Sequence, residues 1–341
     1  METTQQPIHV SVFGLGFVGG AVLKSFQENS VNVVGYDKYK EGQVSSEETF
    51  ISCLSADIAF LCLPTAFDEA QHSYDQTSIK DVCNRLVENN FKGAVVIKST
   101  VEPGTTDSLC QLYPSLEFIH NPEFLTAVTA YEDFHNQTHI VLGRSANASD
   151  DIMDRVSQFY ASYYPEADIS SCLAIESESM KIYVNCFYAT KIQFFNELYA
   201  LTNVVGGDFN VVVKLMLKNN WINSMHTSVP GTDGMLSYGG GCFPKDTNAL
   251  LCHMKKSETP HQVISAVISE RNSMRTDHTN VIVAQKPETD KVISETNTTA
   301  VRDCCKCGCM CNTPLDATEK LAESNTEPKS STSSKKTCLI C

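Results

Sequence analysis

The chain predicts an α/β fold, a doubly wound parallel sheet followed by a helical central region and a disordered tail, and three observations carry that prediction. Short apolar runs alternate with helical periodicity over residues 8 to 143. One long helical pattern then runs from Ser171 to Gly206 with no strand signal inside it. Beyond about Asn280 the chain turns polar and poor in aromatics, with too little apolar surface to fold alone. A chain of 341 residues with 42% hydrophobic residues accommodates two domains and a tail, placed at 1–172, 173–280 and 281–341.

Taken in order, Ile8 to Phe13 read as a buried strand, Gly14 to Asn29 as a turn entering a helix, and Val31 to Asp37 as a second strand. The turn is Gly14-Leu15-Gly16-Phe17-Val18-Gly19. Its first glycine makes the tight turn, the second lets backbone approach a pyrophosphate, and the third lets helix pack on strand. Asp37 ends the second strand about 20 residues on, where a carboxylate accepts ribose hydroxyls and disfavours a 2′-phosphate. The unit is therefore of Rossmann type, with NAD the expected cofactor. Further strands follow at 57–64, 93–100, 116–120 and 138–143, with helices near residues 78–90 and after Pro103. Ligands of such sheets bind at the carboxyl ends of the strands, where Pro64, Thr65, Ser99, Thr100 and Asn121-Pro122-Glu123 fall. Each of these also suits ordinary turn chemistry.

The helix from Ser171 is apolar nearly all round, so it is expected to be buried, in a contact between two subunits. Glu178, Lys181 and Asn185 share one of its faces. An internal Glu178–Lys181 pair is one reading; an unpaired Lys181 facing a cleft is the functional one. Shorter helices are expected over 208–220 and 261–278. Between them lies Gly239-Gly240-Gly241-Cys242-Phe243-Pro244-Lys245-Asp246. Proline suits a first helical turn, so Cys242 is expected just ahead of a positive helix end, where a thiol ionises more readily than a free one. Asp246 falls one turn on, with Lys245 beside it.

A formal net charge of -14 argues against nucleic acid as a partner. The start carries no secretory pattern and no run of 18 apolar residues occurs, so a cytoplasmic protein is expected. Of 15 cysteines, eight lie between Cys53 and Cys252 without paired spacing and read as reduced core thiols. The other seven occupy the last 38 residues, in Cys-Cys-Lys-Cys-Gly-Cys-Met-Cys (304–311) and at Cys338 and Cys341. The first cluster lacks the spacing of a metal site, and no metal is expected. Cys338, two aliphatics and a final residue form a prenylation-type end, implying peripheral membrane association through a lipidated C-terminus.

Together these motifs resemble the UDP-glucose/GDP-mannose dehydrogenase family. They occur in the family's order over residues 8 to 280: the glycine turn, Leu63-Pro64-Thr65, Ser99 to Thr105, Asn121 to Leu125, Lys181 with Asn185, and the cysteine octet. The resemblance implies a homodimer that oxidises the primary alcohol of a nucleotide sugar twice, with two NAD, most readily UDP-glucose to UDP-glucuronate. It assigns Cys242 as the nucleophile of a thiohemiacetal and thioester, and Asp246 with Lys181 as holders of a base water. Lys181 and Asn185 become oxyanion donors, and Glu123, near Thr100, the group that activates the hydrolytic water. Phe124, Leu125, Tyr238, Gly239 and Gly240 are implied around the sugar, and Lys245 beside the cofactor.

Three positions depart from the family pattern. Ala127 stands where members carry a second glutamate, and no Arg or Lys occurs from Trp221 to Gly241, only His226. The family's third, nucleotide-binding domain also has no counterpart in the polar tail. Two alternatives follow: an enzyme for GDP-mannose or a UDP-amino sugar, and a catalytically weak NAD-binding partner of a full-length dehydrogenase.

Overall fold

The chain opens with β1 (His9–Phe13), α1 (Phe17–Glu28) and β2 (Asn32–Tyr36), a βαβ unit with His9 opposite Asn32 and Phe13 opposite Tyr36 in parallel register. A computed structural model describes residues 8–126, 128–275 and 277, which belong to one compact unit. After α2 (Glu47–Cys53) come β3 (Ile58–Leu61), a short antiparallel hairpin of β4 (Phe67–Asp68) and β5 (Ser73–Tyr74), and α3 (Thr77–Glu88). Then follow β6 (Ala94–Ile97), α4 (Thr105–Leu112), β7 (Glu117–His120), α5 (Ala130–His135), β8 (His139–Arg144), α6 (Asp150–Tyr163) and β9 (Asp168–Leu173). The rest is helical: α7 (Ala174–Val204), α8 (Phe209–Leu217), α9 (Phe243–Lys256) and α10 (Gln262–Met274).

The seven sheet strands lie in the order β2-β1-β3-β6-β7-β8-β9, parallel except where β8 runs against β7. Because the order reverses between β1 and β3, a crevice opens at the carboxyl ends of those two strands. Helices cover both faces, which explains the unbroken apolar runs. Residues alternate between two layers: Ile58, Phe60, Ala94 and Val96 enter one, Ala59, Leu61, Val95 and Ile97 the other.

The expected doubly wound sheet is present, with one shift of boundary. Ser171, Cys172 and Leu173 belong to β9, which pairs along the whole of β8, so the long helix starts at Ala174. Periodicity also passed over α2 and α6, although each announces itself by a serine cap, Ser46 accepting from the Thr49 amide and Ser149 from the Ile152 amide. The hairpin β4–β5 carried no signal.

Helix α7 buries Ser177, Glu178, Lys181, Ile182, Asn185, Cys186 and Ala189, and exposes Tyr183, Phe187, Phe194 and Leu201 on its opposite side. Its buried side meets α9, α10 and the hairpin in a core of Phe67, Tyr74, Ile182, Cys186, Ala249, Leu250, Leu251 and Ile264. No helix among the described residues is long and apolar enough to cross a membrane. Ala127, the cysteine cluster at 304–311 and Cys338 lie outside the described residues.

Candidate active site

The glycine turn sits at the crevice. Gly14 has φ +83°, and a Cβ there would lie 2.6 Å from the Cys62 carbonyl oxygen, so only glycine fits without strain. A Cβ on Gly19 would collide with the Gly14 carbonyl, which is what lets α1 press against β1. Gly16 is the N-cap of α1 and no side chain caps the helix, leaving the first-turn amides at an open surface where Gly16 and Phe17 are exposed. Asp37 stands beside the turn: its carboxylate accepts from the Leu15 amide at 2.7 Å and from the Tyr39 amide at 2.9 Å. An anionic ligand bearing a ribose fits this cradle. Val18 is half-buried behind it.

Across the crevice the strand ends are tied together. Ser99 donates its hydroxyl to the Leu63 carbonyl at 2.7 Å and accepts from the Leu63 amide at 2.9 Å, so that side chain links β3 to β6. Thr65 donates to the Thr100 carbonyl at 2.7 Å, leaving Pro64 exposed and Thr100 half-buried at the rim.

Glu178 does not pair with Lys181. It accepts from the Gly104 amide at 2.6 Å, the Thr106 amide at 2.7 Å and the Thr106 hydroxyl at 2.5 Å, placing a carboxylate at the positive end of α4. Lys181 is nevertheless not unpaired, as the sequence reading has it. Its ammonium donates to the Glu123 carbonyl oxygen and lies 3.3 Å from the Glu123 carboxylate. The other oxygen of that carboxylate accepts from the Leu125 amide at 2.6 Å. Phe124 is part-exposed, with Lys181 5.5 Å from its ring centre.

The octet forms the start of α9, with Cys242 as N-cap and Pro244 in the first turn. Asp246 is fully buried and accepts from Tyr74 at 2.5 Å, Lys245 at 2.5 Å and Asn185 at 2.6 Å. In the ligand-free site Lys181 and Asp246 have separate protein partners. Cys242 is exposed, yet the charges of Lys245, Asp246, Glu123 and Lys181 all reach its sulfur. Desolvation by the surrounding protein pushes its thiol above the ordinary value, with Lys245 and Lys181 opposing and Asp246 and Glu123 adding. This direction is opposite to the easier ionisation expected from a place at a helix start.

Four further residues support the site and went unread in the sequence. Tyr74 arrives from the hairpin. Lys98, buried under the Glu123 loop, donates to the side-chain oxygen of Asn121 at 2.8 Å and to its carbonyl at 3.2 Å, and burial lowers its pKa to about 8. Arg271 donates to the Tyr238 carbonyl at 3.1 Å, and Arg275 to Asp233 at 2.7 Å and to the Leu236 carbonyl at 3.1 Å. The two arginines hold buried Tyr238 and the turn through Gly239 and Gly240 that delivers Cys242. Their sequence signal was weak, two arginines at the polar end of the helical pattern over 261–278. Among the described residues no group of three or more His, Cys, Asp or Glu side chains is placed to hold a metal.

Comparison with known proteins agrees with this geometry. Residues 39–163 match the NAD binding domain, and residues 175–273 the central domain, of the UDP-glucose/GDP-mannose dehydrogenase family. The chain is 25% identical to a UDP-glucose 6-dehydrogenase of Campylobacter jejuni over 305 residues, covering 82% of this chain and 75% of that one. It is 29% identical to a UDP-glucose 6-dehydrogenase of Bacillus subtilis over 245 residues, covering 69% and 53%. A UDP-glucose dehydrogenase from Pyrobaculum islandicum shares the fold, with TM-score 0.68 at 23% identity over 80% of this chain and 70% of that one. The chain thus spans between about half and three quarters of the length of these relatives. NAD is the cofactor of the matched domain, and the chain belongs to the UDP-glucose/GDP-mannose dehydrogenase family.

Proposed function

We propose that the protein oxidises the primary alcohol of a nucleotide sugar to the carboxylate, with UDP-glucose the first substrate to test. The observation that carries this reading is an accessible thiol, Cys242, at the start of the helix that carries the Lys245–Asp246 ion pair, in a chain that also buries the Lys181–Glu123 pair and has a glycine turn built for a dinucleotide. NAD, when bound, accepts the hydride that leaves C6 in each of two oxidations.

The chain's own residues supply the rest. In the first oxidation the C6 hydroxyl loses its proton to a water at the site while the alcohol becomes an aldehyde. The Cys242 sulfur then bonds to C6 and its proton passes to the carbonyl oxygen, so the thiohemiacetal again carries a C–H. Lys181 and Asn185 stabilise the negative charge that develops on that oxygen before the proton reaches it. Loss of the second hydride, with the hydroxyl proton passing to water, leaves a thioester. Water, activated by Glu123 near Thr100, breaks the C–S bond, releases the carboxylate and restores the thiol. Phe124, Leu125, Tyr238, Gly239 and Gly240 bound the sugar, and Lys245 lies toward the cofactor.

The same proposal includes the domain limits 1–172, 173–280 and 281–341 and a homodimer through the exposed side of α7, where Tyr183, Phe187, Phe194 and Leu201 present apolar surface. It also includes a lipid on Cys338. NADH formation against UDP-glucose, GDP-mannose and UDP-amino sugars tests the activity and selects the sugar. NAD binding without turnover on any of them would instead identify a binding partner of another dehydrogenase.

A further inference from the structure

Asp246 is fully enclosed, and one of its three donors comes from outside the elements that carry the chemistry. Tyr74 ends the two-residue strand β5, and its phenol donates to the Asp246 carboxylate at 2.5 Å across 172 positions of sequence. Its ring also lies 4.6 Å below the Lys245 ammonium. One side chain therefore touches both members of the Lys245–Asp246 ion pair, through its hydroxyl and its face. The hairpin that carries it is joined to the cofactor side of the crevice, the Asp75 amide donating to the Ala66 carbonyl one residue past Thr65.

We propose that Tyr74 is a positioning residue for the reaction centre: its phenol holds the Asp246 carboxylate and, with it, Lys245, and so sets the field at the Cys242 sulfur. The phenol dipole offsets part of the Asp246 charge, and the ring packs against the Lys245 ammonium. Without the hydroxyl, more of the carboxylate charge reaches Cys242 and Lys245 is drawn toward Asp246, so the thiol ionises less readily. The groups facing Cys242 are Lys245 and Asp246 from α9, Glu123 from the loop after β7 and Lys181 from α7. Those facing Tyr74 are Asp246 and Lys245 from α9, Cys186 from α7 and Glu102 from the loop before α4. Burial and Asp246 keep the Tyr74 phenol protonated, well above its ordinary range, so it remains a donor wherever the thiol titrates.

This inference rests on Cys242 as the nucleophile, and its test does not use turnover. Iodoacetamide labelling of Cys242 is followed against pH in the full chain through the tryptic peptide Asn219–Lys245, in which Cys242 is the single cysteine. Tyr74→Phe keeps the ring and removes the donor. The expected result is a rise of the apparent pKa of labelling by about half a unit, a rate about threefold slower at pH 7. In an Asp246→Asn background the same substitution leaves the profile unchanged, because the carboxylate it acts through is gone. A Tyr74→Phe profile superimposable on the wild type overturns the proposal, as does an equal shift in the Asp246→Asn background or loss of cooperative unfolding in Tyr74→Phe. If instead the wild type makes no NADH from any nucleotide sugar, the functional reading fails whatever Tyr74 does to the thiol.

Discussion

Replacing Gly239 by alanine tests how firmly the turn before Cys242 is held. A Cβ at this position would lie 2.7 Å from the central carbon of the Arg275 guanidinium, about 0.7 Å inside the 3.4 Å at which ordinary contact begins. The guanidinium has little room to yield. It is bound to Asp233 at 2.7 Å, to Asp277 at 2.9 Å and to the Leu236 and Ser237 carbonyls at 3.1 Å and 3.3 Å. Inserting a methyl into packed surroundings costs about 1–3 kcal/mol. Weakening one hydrogen bond to a buried charged group adds a similar amount. A loss of about 2–3 kcal/mol follows, which lowers Tm by roughly 5–10 °C for a domain of this size. Urea unfolding of Gly239→Ala, Arg275→Ala and the double variant measures the coupling. In the Arg275→Ala background the alanine at 239 should cost under about 0.5 kcal/mol. A Gly239→Ala protein of unchanged stability, or a penalty of the same size without Arg275, would refute the reasoning.

Three other outcomes are expected. Glu178→Ala strands the Gly104 amide and the Thr106 amide and hydroxyl, and should cost about 3 kcal/mol by urea unfolding. Lys98 has a folded-state pKa of about 8, below its unfolded value near 10.4, so the unfolded chain holds the extra proton between those limits. Stability should therefore gain a contribution as pH rises from about 8 toward 10.4, and Lys98→Met should remove it; urea midpoints at pH 7 and 10 measure the difference. Cys242→Ser should keep its NAD affinity by calorimetry while forming no more than one NADH per sugar.

The sheet was legible because its strands are buried on both faces, so each reads as a continuous apolar run between turn residues. The glycine turn was legible because close approaches at Gly14 and Gly19 exclude any Cβ. What escaped reading depends on partners distant in sequence. Tyr74 occupies a two-residue strand too short to show a period, and its meaning comes from Lys245 and Asp246, more than 170 positions on. Lys181 could be placed on a helix face, but Glu123, which pairs with it, stands 58 positions earlier. The Cys242 thiol was misjudged for a related reason: a helix start is a local feature, whereas the desolvation and the charges of Asp246 and Glu123 come from the assembled site. Ser171 to Leu173 read as helix because their strand identity comes from pairing with β8.

The central claim is a double oxidation through Cys242, and the ratio of NADH formed to sugar consumed tests it most directly. With purified full-length chain and the nucleotide sugar it turns over, the account predicts two NADH for each sugar carboxylate. One NADH per sugar with free aldehyde as the product, or NAD binding with no turnover on any nucleotide sugar, would contradict it.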